Sequence, residues 1–145
     1  MNYIEFKSVI EKISKLEGQD MSKKIERLTK EERKLYEYLK EKRDYYYEKS
    51  WEEGATVQDD INYIKSVILY DTFCLEKKMY TFKRDEIFLH DEINRKKLVL
   101  SVYLLFDGER EKEMSDYSKN GLIDDVLDVY RMMNSEKFKN ELYKI

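Results

Sequence analysis

Apolar residues recur along most of this chain at three- and four-residue steps, the spacing of one helix face. Tyr3, Phe6, Ile10, Ile13 and Leu16 form the first stripe and predict a helix over about 2–17. A second helical region spans about 22–53. Within it "TKEE" at 29–32 fits a capping box, Thr29 as cap and Glu32 reaching back, so a short helix followed by a long one is expected. Ile25, Leu28, Leu35, Leu39 and Tyr46 set a heptad-like seam there, interrupted by Glu32 and Lys42. "TVQDD" starts a third helix with Thr56 as cap. Val57, Ile61, Ile64, Ile68 and Leu75 continue a matching seam, interrupted by Asp71 and Lys78.

Two long seams either side of Gly54 predict an antiparallel helical hairpin. Glu32 and Lys78 then lie at nearly the same level, and opposite charges there would set register more than add stability. A fourth helix is expected over about 84–106. Its first half, "RDEIFLHDEINRKK", is amphipathic, and its second, "LVLSVYLLF", is apolar on nearly every side, the pattern of a central helix. A buried strand has the same signature, but no second strand-like run exists to pair with it. A helix over 122–133 and a short one capped by Ser135, carrying Phe138 and Leu142, complete the chain. The four glycines, Gly18, Gly54, Gly108 and Gly121, are expected at or near helix ends, and Leu100, Leu104 and Ile68 in the core. The expected fold is all-α: one domain over 1–145, a bundle of about five to seven helices that includes the long hairpin.

Composition agrees. The 145 residues include no proline and only four glycines, and hydrophobic and charged residues make up 41% each. The formal charge of −3 gives no global attraction to nucleic acid or to an anionic membrane. A single cysteine, Cys74, gives no internal disulfide. The start "MNYIEFKSVI" has no signal-peptide pattern, and the longest apolar run is about half the ~20 residues of a membrane span. A cytoplasmic protein without membrane contact is expected.

Candidate chemistry is sparse. Asp124 and Asp125, near the start of a helix, and Asp59 and Asp60, near the start of another, stand where unpaired N–H groups and the helix dipole favour negative charge. A helix-starting role explains both pairs. His90 lies four residues after Glu86 and shares a helical face with it. Cys74, between Phe73 and Leu75, is expected to be a packed thiol. No phosphate loop, nucleophile elbow or Cys-x-x-Cys is present, so no catalytic residue, metal ligand or cofactor is predicted.

"SVYLLF", a polar link and "GLIDDVLDVYRMM" resemble the YkvA-like family of small helical proteins over about residues 98–133. Gly121, Ile123, Asp124 and Asp125 carry the likeness. The chain departs from that family in having no prolines and in placing "DGEREKEMSDYSKN" between the helices. The resemblance implies a helical fold rather than an activity.

The most unusual stretch is "RDYYYEKSW" at 43–51. Three successive tyrosines cannot share one helical face, so at least one is expected to be exposed, and exposed Tyr and Trp suit a protein contact. Charge is also segregated. Residues 21–50 hold ten basic and seven acidic side chains, whereas 107–128 hold eight acidic and three basic. The first expectation is a non-enzymatic helical module that binds and inhibits another protein, one with a basic nucleic-acid-binding surface. A phage or mobile-element antagonist, anti-CRISPR-like or immunity-like, has this character. Partner-binding residues would be Tyr45, Tyr47, Trp51, Glu109, Glu111, Glu113 and Asp116. A nucleic-acid accessory protein using the basic, tyrosine-rich 21–51 region is the alternative. A carboxylate metal protein or enzyme built on Asp124, Asp128 and His90 is a second alternative.

Overall fold

The computed structural model describes residues 2–106 and 119–145, with the side chains of 13–20 and 119–125 left out of the description. Among these residues are six helices and no strand: α1 (Tyr3–Arg27), α2 (Lys30–Trp51), α3 (Val57–Glu76), α4 (Lys83–Phe106), α5 (Lys119–Met133) and α6 (Glu136–Leu142). Helices adjacent in sequence pack in turn, α2 on α3, α3 on α4 and α4 on α5.

Local chemistry fixes where these helices begin. Asn2, Thr29 and Thr56 are N-caps, each in a reciprocal box with the residue three positions on. The Thr29 hydroxyl accepts from Glu32 N at 3.1 Å, and the Glu32 carboxylate accepts from Thr29 N at 3.0 Å. Ser135 caps α6 by accepting from Phe138 N. The break between α1 and α2 is therefore at Leu28–Thr29, where Arg33 donates to the carbonyls of Ile25 and Glu26 and helps satisfy the end of α1.

Gly18 does not end a helix, contrary to expectation, and the expected short second helix is the end of α1. A glycine inside a helix costs only about 0.5–1 kcal/mol relative to alanine. Nothing after Gly18 reverses the chain, and the next cap comes only at Thr29. Gly54 lies in the hairpin turn, Gly121 two residues into α5, and Gly108 outside the described residues. α5 opens at Lys119, three residues earlier than expected, so Asp124 and Asp125 fall beyond its first turn, and their side chains lie outside the described residues. Asp59 and Asp60 do occupy the first turn of α3.

α2 and α3 form the expected antiparallel hairpin. Lys77 meets Glu32 at 2.7 Å, Tyr36 lies 5.9 Å from Phe73, and Tyr47 lies 5.6 Å from Tyr63, ring to ring. The charge partner of Glu32 is thus Lys77 rather than Lys78. The inward row of α2 also differs from expectation. Tyr36 and Leu39 are buried while Leu35 is half exposed, because Tyr36 rather than Leu35 packs against Tyr70 and Phe73.

Two cores flank the middle of α3. Tyr36, Leu39, Phe73, Cys74 and Met79 form one, with Met21, Ile25 and Leu28 of the α1 end packed against it. Ile64, Ile68, Leu100, Phe138 and Leu142 form the other. Ile68 and Leu100 are fully buried as expected, whereas Leu104 is only partly buried against the second core. The central helix is α3, buried on nearly all sides over 64–68, rather than the second half of α4, where Val99 is exposed. Where α3 and α4 pack, Ser66 and Ser101 are both completely buried, each donating to a carbonyl of its own helix.

The first stripe lies on a helix, its described members form no core, and the side chains of Ile13 and Leu16 lie outside the described residues. Tyr3, Phe6 and Ile10 are exposed, Tyr3 at 76%, together with Ile4 and Val9. Among the described side chains of α1, Met21 and Ile25 of its last two turns join the hairpin.

Candidate interaction surface

Helical geometry turns the tyrosine run into two surfaces. Residues two apart point about 200° away from each other, so Tyr45 and Tyr47 diverge around the half-buried Tyr46. Tyr45, half exposed, packs edge-on to Tyr46 at 5.1 Å. Tyr47 stands edge-on to Trp51 one turn later at 6.3 Å and also meets Tyr63 of α3. Trp51 is 76% exposed, the largest side chain of the protein left so open. Of the expected contact residues, Tyr47 and Trp51 are brought together and Tyr45 is set apart. Glu109, Glu111, Glu113 and Asp116 lie outside the described residues.

The aromatic pair lies on an exposed stripe with Asp44, Glu48 and Glu52, spaced at three and four residues along α2. Sequence reading found the rings but not this alternation of rings with carboxylates. The signal was present in the i, i+3, i+4 spacing of 44, 47, 48, 51 and 52. Arg43 and Lys49, which would hold a nucleic-acid backbone beside the rings, are both engaged. The Arg43 guanidinium lies 4.0 Å from the Tyr70 ring and pairs with Asp44, and Lys49 pairs with Glu52 at 3.6 Å.

Burial controls the titratable groups behind this surface. Desolvation between α2 and α4 pushes Asp71 up to about 6, with Glu92 adding to the rise and Arg43 and Lys96 opposing it. Desolvation also pushes the Cys74 thiol up to about 11, which makes it the packed, unreactive thiol expected. His90 is exposed, while Glu86, its expected companion, accepts from the Tyr80 hydroxyl at 3.2 Å. No group of three metal-capable side chains occurs among the described residues, and Asp128 lies beside Arg131 at 3.4 Å. No helix among them is long and apolar enough to cross a membrane.

Comparison with known protein families, with curated proteins and with solved structures gives no match to this chain.

Proposed function

We infer that the chain is a protein-binding module whose Tyr47–Trp51 stripe engages a partner surface rich in lysine and arginine. The observation that carries this reading is a tryptophan left 76% exposed on a stripe where carboxylates alternate with rings. A free Trp–Tyr pair offers a large apolar area with little rotamer entropy to lose. Aromatic faces attract cations, and Glu48 beside them makes no ion pair among the described residues. Such a stripe favours a partner with cationic side chains at the rim and an apolar slot between them. Antagonism of a protein with a basic nucleic-acid-binding surface is the form of this reading that matches that charge.

The test is capture of a partner from cells that make this protein, with wild type and two variants as bait. Tyr47→Ala/Trp51→Ala should weaken the complex by more than about 2 kcal/mol, and Glu48→Lys should weaken it in a salt-dependent way. Melting temperature should hardly change in either variant. Undiminished capture by both variants overturns the reading, as does a large fall in stability, which would show the rings to be packing.

A further inference from the structure

The opposite end of the hairpin carries the reverse charge. Lys24 and Arg27 from the last turns of α1, Lys77 and Lys78 at the end of α3, and Lys83 at the start of α4 line a cleft of about 660 Å³. That volume is in the range of small-molecule sites. Leu28, Tyr80 and Thr81 complete its wall, with Lys24 Nζ 5.4 Å from the centre of the Tyr80 ring.

Two carboxylates, Glu32 and Glu86, also line the cleft, but both are committed. Glu32 takes Lys77 on one oxygen and Thr29 N on the other, and these bonds hold its carboxyl at about 2, well below the usual range. Glu86 accepts from Tyr80. Arg27, Lys78 and Lys83 make no ion pair among the described residues. Helix dipoles do not alter the balance, because the C-terminal ends of α1 and α3 and the N-terminal ends of α2 and α4 all meet here and offset one another. Among the lining side chains five cations face two acids, an excess of three positive charges in a protein whose net charge is −3.

Lys78 adds a second observation. It holds φ +53°, the one described non-glycine residue in the left-handed region. Glycine normally takes this position after a helix, and a side chain there costs about 1–2 kcal/mol. The strained turn delivers a cation to the cleft rim.

We propose that this cleft binds a small molecule carrying a diphosphate or triphosphate group. About three negative charges on one compact ligand balance the three free cations, whereas a monoanion leaves most of that charge unmet. Arg27 supplies a planar donor fork for a phosphate edge, and Lys78 and Lys83 supply mobile ammonium donors. A nucleic-acid backbone fits less well. Along α2 the exposed cations Lys30, Arg33, Lys34 and Lys40 alternate with Glu31, Glu37 and Glu41, and the stripe toward Trp51 carries Asp44, Glu48 and Glu52, so a strand following the helix would meet carboxylates at every turn.

The experiment is titration calorimetry with inorganic pyrophosphate at low salt, with sulfate and a single-stranded oligonucleotide as competing probes. Two variants keep the fold: Lys78→Gly, which relaxes its turn, and Lys83→Gln on the surface. Wild type should bind pyrophosphate and sulfate should bind at least about tenfold more weakly. Each variant should lose about tenfold in pyrophosphate affinity, the scale of one charged hydrogen bond. Absence of pyrophosphate binding overturns the proposal, as does wild-type pyrophosphate affinity in both variants. Oligonucleotide binding that tightens with strand length and displaces pyrophosphate also overturns it, and assigns the cleft to nucleic acid.

Discussion

The two ends of α3 meet the same need, a chain reversal, with different residues. Before α3 the turn uses Gly54 at φ +83°, where an added Cβ would meet nothing within 4 Å and only the backbone objects. After α3 the turn uses Lys78 at φ +53°. Its geometry is the common glycine-terminated helix end. Met79 N donates to Cys74 O at 2.7 Å and Lys78 N to Leu75 O at 3.3 Å, while Met79 packs beside Cys74 in the first core. One turn is relaxed, exposed and set among acids; the other is strained, anchored and cationic. The difference teaches that α3 ends where it does because Met79 is buried, so the backbone can hold a lysine in an unfavourable conformation next to the cleft.

The largest effect should come from removing that anchor. Met79→Ala should cost roughly 2–5 kcal/mol in denaturant unfolding, whereas Val57→Ala at the other end should stay within about 0.5 kcal/mol. Equal losses would erase the contrast. Next come the turn residues themselves, which should move in opposite directions. Lys78→Gly should stabilise by up to about 1 kcal/mol, and Gly54→Ala should destabilise by about 1–2 kcal/mol. A destabilised Lys78→Gly would show that the lysine side chain supports the turn instead of straining it. Thr29→Ala and Thr56→Ala should each cost about 1 kcal/mol, since both helices of the hairpin begin with the same box.

The smallest effects are in pH dependence, with opposite signs at the two sites. Glu32 is lowered to about 2 in the folded chain, so its contribution is complete above the unfolded value near 4.3 and is lost as pH falls toward 2. Asp71 is raised to about 6, so its ionisation weakens the fold as pH rises from about 4 to 6, and the penalty persists above that. At pH 7 Asp71→Asn should raise the melting temperature and Glu32→Gln should lower it. Below about pH 3 the Asp71 difference should disappear. The same sign for both substitutions at pH 7 would refute this assignment.

Interactions within a few residues of sequence were legible. The capping box at Thr29, the caps at Thr56 and Ser135 and the hairpin about Gly54 all rest on such chemistry. Packing across helices was less so. The sequence shows that 3–10 carries an apolar face, but whether a face finds a partner depends on chain direction, and the described α1 side chains that meet the hairpin, Met21 and Ile25, are at its far end. Leu35 and Tyr36 are both apolar enough for the seam, and the choice is made by Tyr70 and Phe73 on the opposite helix. The aromatic site was visible because its residues are contiguous. The cationic cleft was hidden because its residues come from four segments between positions 24 and 86, each unremarkable alone.

Lys65 lies in the middle of α3 with its side chain 3% exposed, and its ammonium reaches Glu141 at 3.5 Å, 76 positions later. Phe138 and Leu142 beside that acid complete the second core. During synthesis, then, the hairpin emerges with a cation on its apolar flank and no counter-charge until the last of these residues has been made. A ribosome stalled before position 138 should present a nascent chain with a first core that resists protease and a second that does not.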